Sequence, residues 1–164
     1  MLIYQLYLYQ IYYTMNTYPL QSIFYTVEQT IKEYRKYAQN NISKQISDIT
    51  FDQALVLMVL NTKPELTQKE IANLLYKDYA SLTRMIELMV EKNYLKRSIN
   101  NDDRRRFKLE ITEKGLLAIK KIKPIIQTNR AISLNGISQD EIELLRNLLN
   151  KIINNCCRNN QNEI

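Results

Sequence analysis

Apolar residues recur at intervals of three and four along the first half of the chain, a pattern typical of amphipathic helices. The first regular run predicts one long helix from Leu20 to about Lys44. Its apolar positions are Leu20, Phe24, Val27, Ile31, Tyr34 and Ala38. A second helix begins at Asp48 or Thr50 and contains ALVLMVL, which is typical of a buried helix. Pro64 cannot continue a helix, so this one ends before it.

Two shorter helices with a tight link are predicted next. Thr67 and Glu70 form a capping box at the start of the first, and Asp78 caps the other, which runs to about Lys92. Its inward positions are Leu82, Met85 or Ile86, Met89 and Val90, and its outward ones are Tyr79, Ala80, Ser81, Thr83 and Arg84. Such a pair fits a helix-turn-helix, whose second helix reads the major groove with its N-terminal residues. A solvated helix face has the same pattern, so both interpretations stay open at this point.

A β-hairpin is predicted directly after these helices. Asn93 suits the left-handed end of the preceding helix. Residues 94–99 form one strand, and the strict alternation of FKLEI from Phe107 to Ile111 forms the other. Residues 92–108 contain seven basic and two acidic side chains, and NDDRRR lies in the loop between the strands. Arginines at a hairpin tip can reach phosphates and a narrow minor groove, so the hairpin is interpreted as a wing on nucleic acid.

The last third of the chain predicts two more helices. Thr112 caps the first, in which Pro124 allows a kink or a break, and Asn135-Gly136 marks the turn that follows. Ser138 and Glu141 form a capping box at the start of the second of these helices. Thr50 and Gln53 form another at the start of the earlier helix that contains ALVLMVL. The final helix carries a broad apolar stripe of Ile142, Leu145, Leu148, Leu149, Ile152 and Ile153. The stripe packs either in the core of its own chain or against the same helix of a second copy.

Composition narrows the classes of function. The net charge of +6 and the pI near 9.2 favour an anionic partner, although a basic solvated surface gives the same values. The chain has no histidine and no glycine-rich loop at a helix start, which excludes a histidine metal site, a histidine base and a nucleotide-binding loop. We therefore expect no enzyme, no cofactor and no metal. The adjacent Cys156 and Cys157 are expected to be free thiols of a reducing cytoplasm.

The first nineteen residues form a tyrosine-rich extension. Glutamines and tyrosines interrupt its apolar residues, and it lacks the basic start and small-residue cleavage site of a signal peptide. Three interpretations stay open: an extra helix packed on the body, a frayed tail, or a gene whose true start is Met15 rather than Met1. A membrane-associated basic protein that uses this segment is a further alternative, although no membrane partner is expected.

A family resemblance rests on residues 66–115. The segments that carry it are LTQKEIA, SLTRMIELMVEKN, DDRRR and LEITEKG, in this order. This stretch resembles the winged helix-turn-helix of MarR-type transcriptional regulators, and with its flanking helices the likeness extends from about Leu20 to Asn155. Tyr76 and Asn93 stand where the family often has glycine, and the leading twenty residues have no usual counterpart.

The resemblance implies a role for each matching residue. Ser81, Thr83 and Arg84, with their neighbours Tyr79 and Ala80, would face DNA from the recognition helix. Asp103 would brace the wing through an ion pair, and either Arg104 or Arg105 would enter the minor groove. Arg97 and Arg106 would complete the basic surface of the wing, unless Arg106 is merely solvated.

Family members also bind small, often phenolic, effectors, which implies a pocket lined by Tyr25, Tyr34, Tyr37 and Phe51. Tyrosines at helical spacing are equally typical of a core.

The expected fold is mainly α with a small β-hairpin wing: a winged helix-turn-helix flanked by N- and C-terminal dimerisation helices. Its expected regions are 1–19 (extension), 20–48 (N-terminal dimer helix), 49–112 (DNA-binding region), 113–155 (C-terminal dimer helices) and 156–164 (polar tail). The expected function is a homodimeric cytoplasmic repressor on pseudo-palindromic double-stranded operator DNA, released by a small effector. The alternative is a winged-helix module that binds protein and lacks specific DNA binding.

Overall fold

The computed structural model describes residues 3–7, 10, 20, 22–99 and 107–161, but not the side chains of residue 99, residue 107 and residues 159–161. In the described part of the chain from residue 22 onward, four helices precede a two-stranded antiparallel hairpin, and two long helices follow it. In chain order these elements are α1 (Ile23–Ser43), α2 (Phe51–Thr62), α3 (Gln68–Leu74), α4 (Tyr79–Glu91), β1 (Leu95–Ile99), β2 (Phe107–Ile111), α5 (Glu113–Ser133) and α6 (Gln139–Gln161).

Side-chain caps set most of the helix starts. At α2 the Thr50 N–H donates to Gln53 Oε1 (2.9 Å), and the Gln53 N–H donates to Thr50 Oγ1 (3.2 Å). Thr67 with Glu70 at α3 and Ser138 with Glu141 at α6 make the same reciprocal pair. All three predicted capping boxes are therefore confirmed. The first helix begins at Ile23 rather than Leu20, because Ser22 provides its cap.

The hairpin has a regular register in which Leu95 pairs with Ile111 and Arg97 with Leu109. Leu95 and Leu109 are buried, whereas Lys96 and Lys108 are exposed. The predicted alternation is confirmed: one face of the hairpin covers the core and the other meets water. The left-handed conformation predicted for Asn93 is present as well, with φ of 60°.

The hydrophobic core is built by α1–α4, the hairpin and the first part of α5. Its largest fully buried side chains are Tyr94, Ile42, Ile49, Leu57, Leu60, Ile71, Leu82, Ile86, Met89, Leu95, Ile122 and Val56. The core supports the inward face of α4 along its length, so the orientation of α4 is determined by packing rather than by its short link to α3.

The chain divides into two compact units, Met1–Asn129 and Arg130–Ile164. In the first unit α5 continues through Pro124, so the proline does not break the helix. The second unit holds the end of α5, a turn with Gly136 at φ of 80°, and α6.

Near the N-terminus, residues 3–7 are helical and their side chains are exposed. Among the residues described, no helix combines the length and the apolar character needed to cross a bilayer.

Candidate nucleic-acid interface

Helix α4 has one buried face and one open face. Leu82, Ile86 and Met89 are fully buried in the core. Tyr79, Ala80, Ser81 and Arg84 are exposed around the N-terminal half of the same helix, where the sequence predicted them. The open face thus presents small side chains, which allow close approach, beside Arg84, which has no ion-pair partner among the described residues and can bond base edges.

The N-terminus of α4 is held by Asp78. The Ser81 N–H donates to Asp78 Oδ1 at 2.8 Å. Hydrogen bonds from Ser81, first from its side chain and then from its backbone, hold the pKa of Asp78 below its usual range. The lowered pKa favours the charged form of this cap, and the Ser81 hydroxyl is partly committed to it.

Thr83 lies differently from the other predicted contact residues. It is only partly exposed, and its hydroxyl donates to the Tyr79 carbonyl at 2.8 Å. The same hydroxyl lies 3.5 Å from Gln68 Oε1 on α3. The hydroxyl proton is thus committed within α4, and Thr83 lies close to α3, which the helical pattern alone did not indicate.

The turn between α3 and α4 contains a residue in the left-handed region, Tyr76, at φ of 52°. The Lys77 N–H donates to the Ala72 carbonyl (2.9 Å) and the Tyr76 N–H to the Asn73 carbonyl (3.2 Å). This bonding is a Schellman motif, which ends α3 at Leu74. The departure from glycine at this position thus leaves the usual turn geometry intact.

An ion-pair chain ties this turn to the rest of the unit. Lys77 Nζ lies 2.8 Å from Asp52 Oδ2 at the start of α2, and Arg35 of α1 bonds the other oxygen of the same carboxylate. The turn between α3 and α4 is therefore anchored to α2 and, through Asp52, to α1.

In the hairpin, the structure describes residues of the two strands. Arg97 lies on β1 and pairs loosely with Glu87 of α4, at 3.8 Å. On the solvent face, Lys96 and Ser98 both bond Glu110, at 2.9 and 2.8 Å, and the Lys96 bond contributes most to lowering the pKa of Glu110. The predicted tip residues Asp103, Arg104, Arg105 and Arg106 lie outside the described residues.

The base of the hairpin is joined to two helices by contacts that the sequence did not reveal. The Tyr94 hydroxyl donates to Asp48 Oδ1 (2.7 Å), and Lys114 Nζ lies 3.4 Å from Asp48 Oδ2 and 4.1 Å from the centre of the Tyr94 ring. The Tyr94 bond is the main cause of a lowered Asp48 pKa. These three residues, called here the wing-base cluster, connect the α1–α2 loop, the residue before β1, and α5.

Gly115 lies at the same junction. A Cβ atom there would stand 2.4 Å from the Tyr94 carbonyl oxygen and 2.6 Å from a methyl group of Ile111. Only a residue without a side chain lets α5 approach the hairpin so closely, which explains the glycine in the LEITEKG segment.

Two of the four predicted pocket residues are in contact with each other. Tyr34 and Phe51 make an edge-to-face contact with centroids 6.1 Å apart, and Phe51 is buried. Phe51 also borders an open hollow of about 260 Å³, whose other lining residues are Arg35, Lys36, Gln39, Thr50 and Asp52. Tyr25 and Tyr37 are absent from its lining. Among the described residues, no group of acidic or cysteine side chains is arranged to hold a metal ion.

Helix α6 exposes the apolar stripe predicted from its sequence. Leu145, Leu148 and Ile153 are about half exposed, as is the neighbouring Leu144, while Ile142, Leu149 and Ile152 are partly covered. Whether the stripe packs in its own chain or against a second copy stays a prediction.

Helix α3, the anchored turn, α4 and the hairpin together make a winged helix-turn-helix, the architecture of DNA-binding regulators. A family model described as the MarR family matches residues 47–106. The HTH-type transcriptional regulator SarZ of Staphylococcus haemolyticus (strain JCSC1435) is 25% identical over 135 residues, which cover 81% of this chain and 85% of that protein. The chain thus resembles MarR-type winged-helix regulators, in sequence over residues 47–106 and in fold over most of its length.

Solved structures agree on the fold. A cysteine-to-serine mutant of MarR from E. coli, complexed with operator DNA, matches with a TM-score of 0.74 and 22% identity, over 84% of this chain and 96% of that one. Bordetella bronchiseptica BpsR, whose DNA binding is regulated by 6-hydroxynicotinic acid, matches with a TM-score of 0.72 and 18% identity, over 81% and 94%. The predicted fold class and family resemblance are confirmed.

Proposed function

We propose that this protein is a cytoplasmic, sequence-specific repressor that binds double-stranded operator DNA as a homodimer. Helix α4 enters the major groove by its N-terminal half. There Arg84 and Ser81 bond base edges, while Ala80 permits close approach and Tyr79 lies at the entrance. Thr83 supports this face from its bond to the Tyr79 carbonyl.

The observation that carries the proposal is the division of α4 into two faces. The buried face has no exposure at Leu82, Ile86 and Met89, so the core holds the helix in one orientation. The open face lacks packing partners among the described residues, yet it occupies the part of the motif that reads DNA in this architecture. The MarR–operator complex, which shares the fold, supports the same assignment.

The wing supplies the second contact. Arg97 on β1 lies beside α4, close enough to pair with Glu87. Beyond it, Arg104 or Arg105 enters the minor groove, Arg106 contacts phosphate, and Asp103 orders the neighbouring arginine before binding. The wing contributes charge and shape recognition, whereas α4 contributes direct base recognition.

The stripe on α6 forms the dimer interface. The half-exposed leucines along this helix can be buried against the same helix of a second copy, related by a two-fold axis. Residues 20–48 and 113–155 supply the dimer helices, and residues 49–112 the DNA-binding region. Two-fold symmetry places the two recognition helices about 34 Å apart, one DNA turn, which requires a pseudo-palindromic site.

A small phenolic or carboxylate effector releases the DNA in this proposal. BpsR, with the same fold, is regulated by 6-hydroxynicotinic acid. In this chain the hollow beside Phe51, with Arg35 and Lys36 on its rim, suits an anionic aromatic molecule. Tyr34 packs edge-to-face on Phe51, and Tyr25 and Tyr37 lie on the same helix as Tyr34.

The test is fluorescence anisotropy of the purified full chain on DNA from upstream of its own gene, with a shuffled duplex as control, across a salt series. We expect preference for the native duplex. If six to ten phosphates are neutralised, affinity falls by about 10³ to 10⁵ between about 50 and 200 mM salt. Equal weak binding to both duplexes would reject sequence-specific recognition. Absence of binding at low salt would instead support a module that binds protein.

A further inference from the structure

Tyr76 is the most exposed of the large hydrophobic residues described in the first unit, at 95% of its full accessible surface. It occupies the C′ position of α3, in the left-handed conformation that glycine and asparagine adopt most readily. Within the described part of the chain its hydroxyl makes no hydrogen bond and its ring makes no aromatic contact. Neither backbone preference nor packing therefore explains a tyrosine here.

The neighbouring residue determines where this side chain is displayed. Lys77 is held inward by Asp52, which Arg35 holds in turn. Two backbone bonds, Lys77 N–H to Ala72 and Tyr76 N–H to Asn73, complete the anchor. The turn is thus rigid on its inner side, and Tyr76 extends from its outer side, three residues before the first residue of α4.

This position corresponds to the edge of a DNA groove. In a helix-turn-helix the first helix crosses the sugar-phosphate backbone and the second lies in the major groove, so the turn between them passes beside a strand. Tyrosine hydroxyls are among the groups that bond phosphate oxygens, and such contacts set the register of the protein without reading sequence.

We propose that Tyr76 is a DNA-positioning residue whose hydroxyl donates a hydrogen bond to a backbone phosphate beside each half-site. This inference rests on the proposed function, because it requires the protein to bind duplex DNA. The anchored turn fixes the backbone of Tyr76 before binding, so only its side chain has to be ordered when the contact forms. A neutral donor releases no counterion, so the contact adds affinity without adding to the salt dependence.

Two substitutions separate this contact from the stability of the turn. Tyr76→Phe keeps the ring and the backbone and removes only the hydroxyl. Tyr76→Gly removes the side chain and relieves the left-handed strain, so its melting temperature should equal or exceed that of the wild type. Tyr7→Phe, at another exposed tyrosine outside the motif, is the matched control.

The probes are a duplex that the wild-type protein selects from a randomised pool and a mixed-sequence duplex of equal length. For Tyr76→Phe we expect binding about three- to tenfold weaker on both duplexes, with an unchanged salt slope. Tyr76→Gly should weaken binding at least as much while remaining as stable as the wild type. Tyr7→Phe should bind as the wild type does.

A methylphosphonate scan of the selected duplex locates the contact. Neutralising the contacted phosphate should weaken wild-type binding, and Tyr76→Phe should lose nothing further at that one position. Wild-type affinity in both Tyr76 variants would overturn this inference but leave the proposed function standing. A changed sequence preference, or an effect confined to the dimer equilibrium, would do the same. Failure of the wild-type protein to bind any duplex would overturn the proposed function together with it.

Discussion

At the scale of single residues, the open face of α4 depends on one long side chain. Ala80 and Ser81 are short, so Arg84 is the exposed residue on this face that can span to a guanine and bond it with two N–H groups. The helical spacing of the buried residues was enough to predict this exposure. The same spacing could not show that Thr83 turns toward α3, because that contact depends on how two helices pack.

Replacing Arg84 with alanine should relax base preference at one position of each half-site. If the contact is bidentate, the loss is about 1–3 kcal/mol at that position. Selection of duplexes from a randomised library by the wild type and by Arg84→Ala gives the measurement, with Arg130→Ala, an exposed arginine on α5, as the control. Identical selected sequences for wild type and Arg84→Ala would remove Arg84 from the recognition surface.

The wing arginines support a second residue-level prediction. Arg104→Ala or Arg105→Ala should weaken DNA binding without unfolding the protein, because a hairpin tip carries little of the core. Binding is measured by anisotropy at fixed salt and folding by thermal melting, with Arg158→Ala in the last turn of α6 as the control. Native affinity in both variants would exclude a minor-groove role for the wing.

At the scale of elements, the sequence predicted contacts between residues close together in the chain better than contacts between distant ones. The capping boxes, the Asp78 cap and the left-handed Asn93 each depend on residues within four positions, so the sequence displays them directly. The wing-base cluster joins residues that lie 46 and 66 positions apart in the chain, and no sequence pattern indicates it. Pro124 was ambiguous because a proline can bend a helix without ending it.

The wing-base cluster predicts a pH dependence of stability. The pKa of Asp48 is lowered in the folded chain, chiefly by the Tyr94 hydrogen bond. Its contribution is therefore fully present above the unfolded pKa, near 3.8, and is lost as the pH falls through the lowered folded value. Asp48→Asn should be modestly less stable than the wild type at neutral pH, with a difference that closes in strong acid.

Urea unfolding of both proteins across the acid range measures this difference. Asp140→Asn, on the exposed start of α6, is the matched control and should show a smaller change. A difference that is constant with pH would mean that the Asp48 carboxylate contributes through its shape rather than its charge.

At the scale of the whole molecule, the proposed dimer depends on the stripe on α6. The sequence showed that the stripe was too apolar for water, and Leu145 and Leu148 on it are about half exposed. What covers it could not be deduced from sequence periodicity, because that pattern is the same for a partner helix of the same chain or of another copy.

Leu145→Glu should abolish dimers while leaving the first unit folded, because Leu145 is half exposed and lies outside that unit's core. Sedimentation velocity measures the association state, and anisotropy should show that operator binding is lost along with it. Lys151→Glu, an exposed change of charge on the same helix, is the control. A dimer that survives Leu145→Glu would place the interface elsewhere.

The bare Cα of Gly115 has a mechanical consequence. Side chains between packed elements can usually change rotamer and so absorb small displacements. Gly115 has no side chain to do so, and an added methyl group there would meet the Tyr94 carbonyl and the side-chain methyl of Ile111. A tilt of the first turn of α5 would therefore be passed directly to the base of the hairpin.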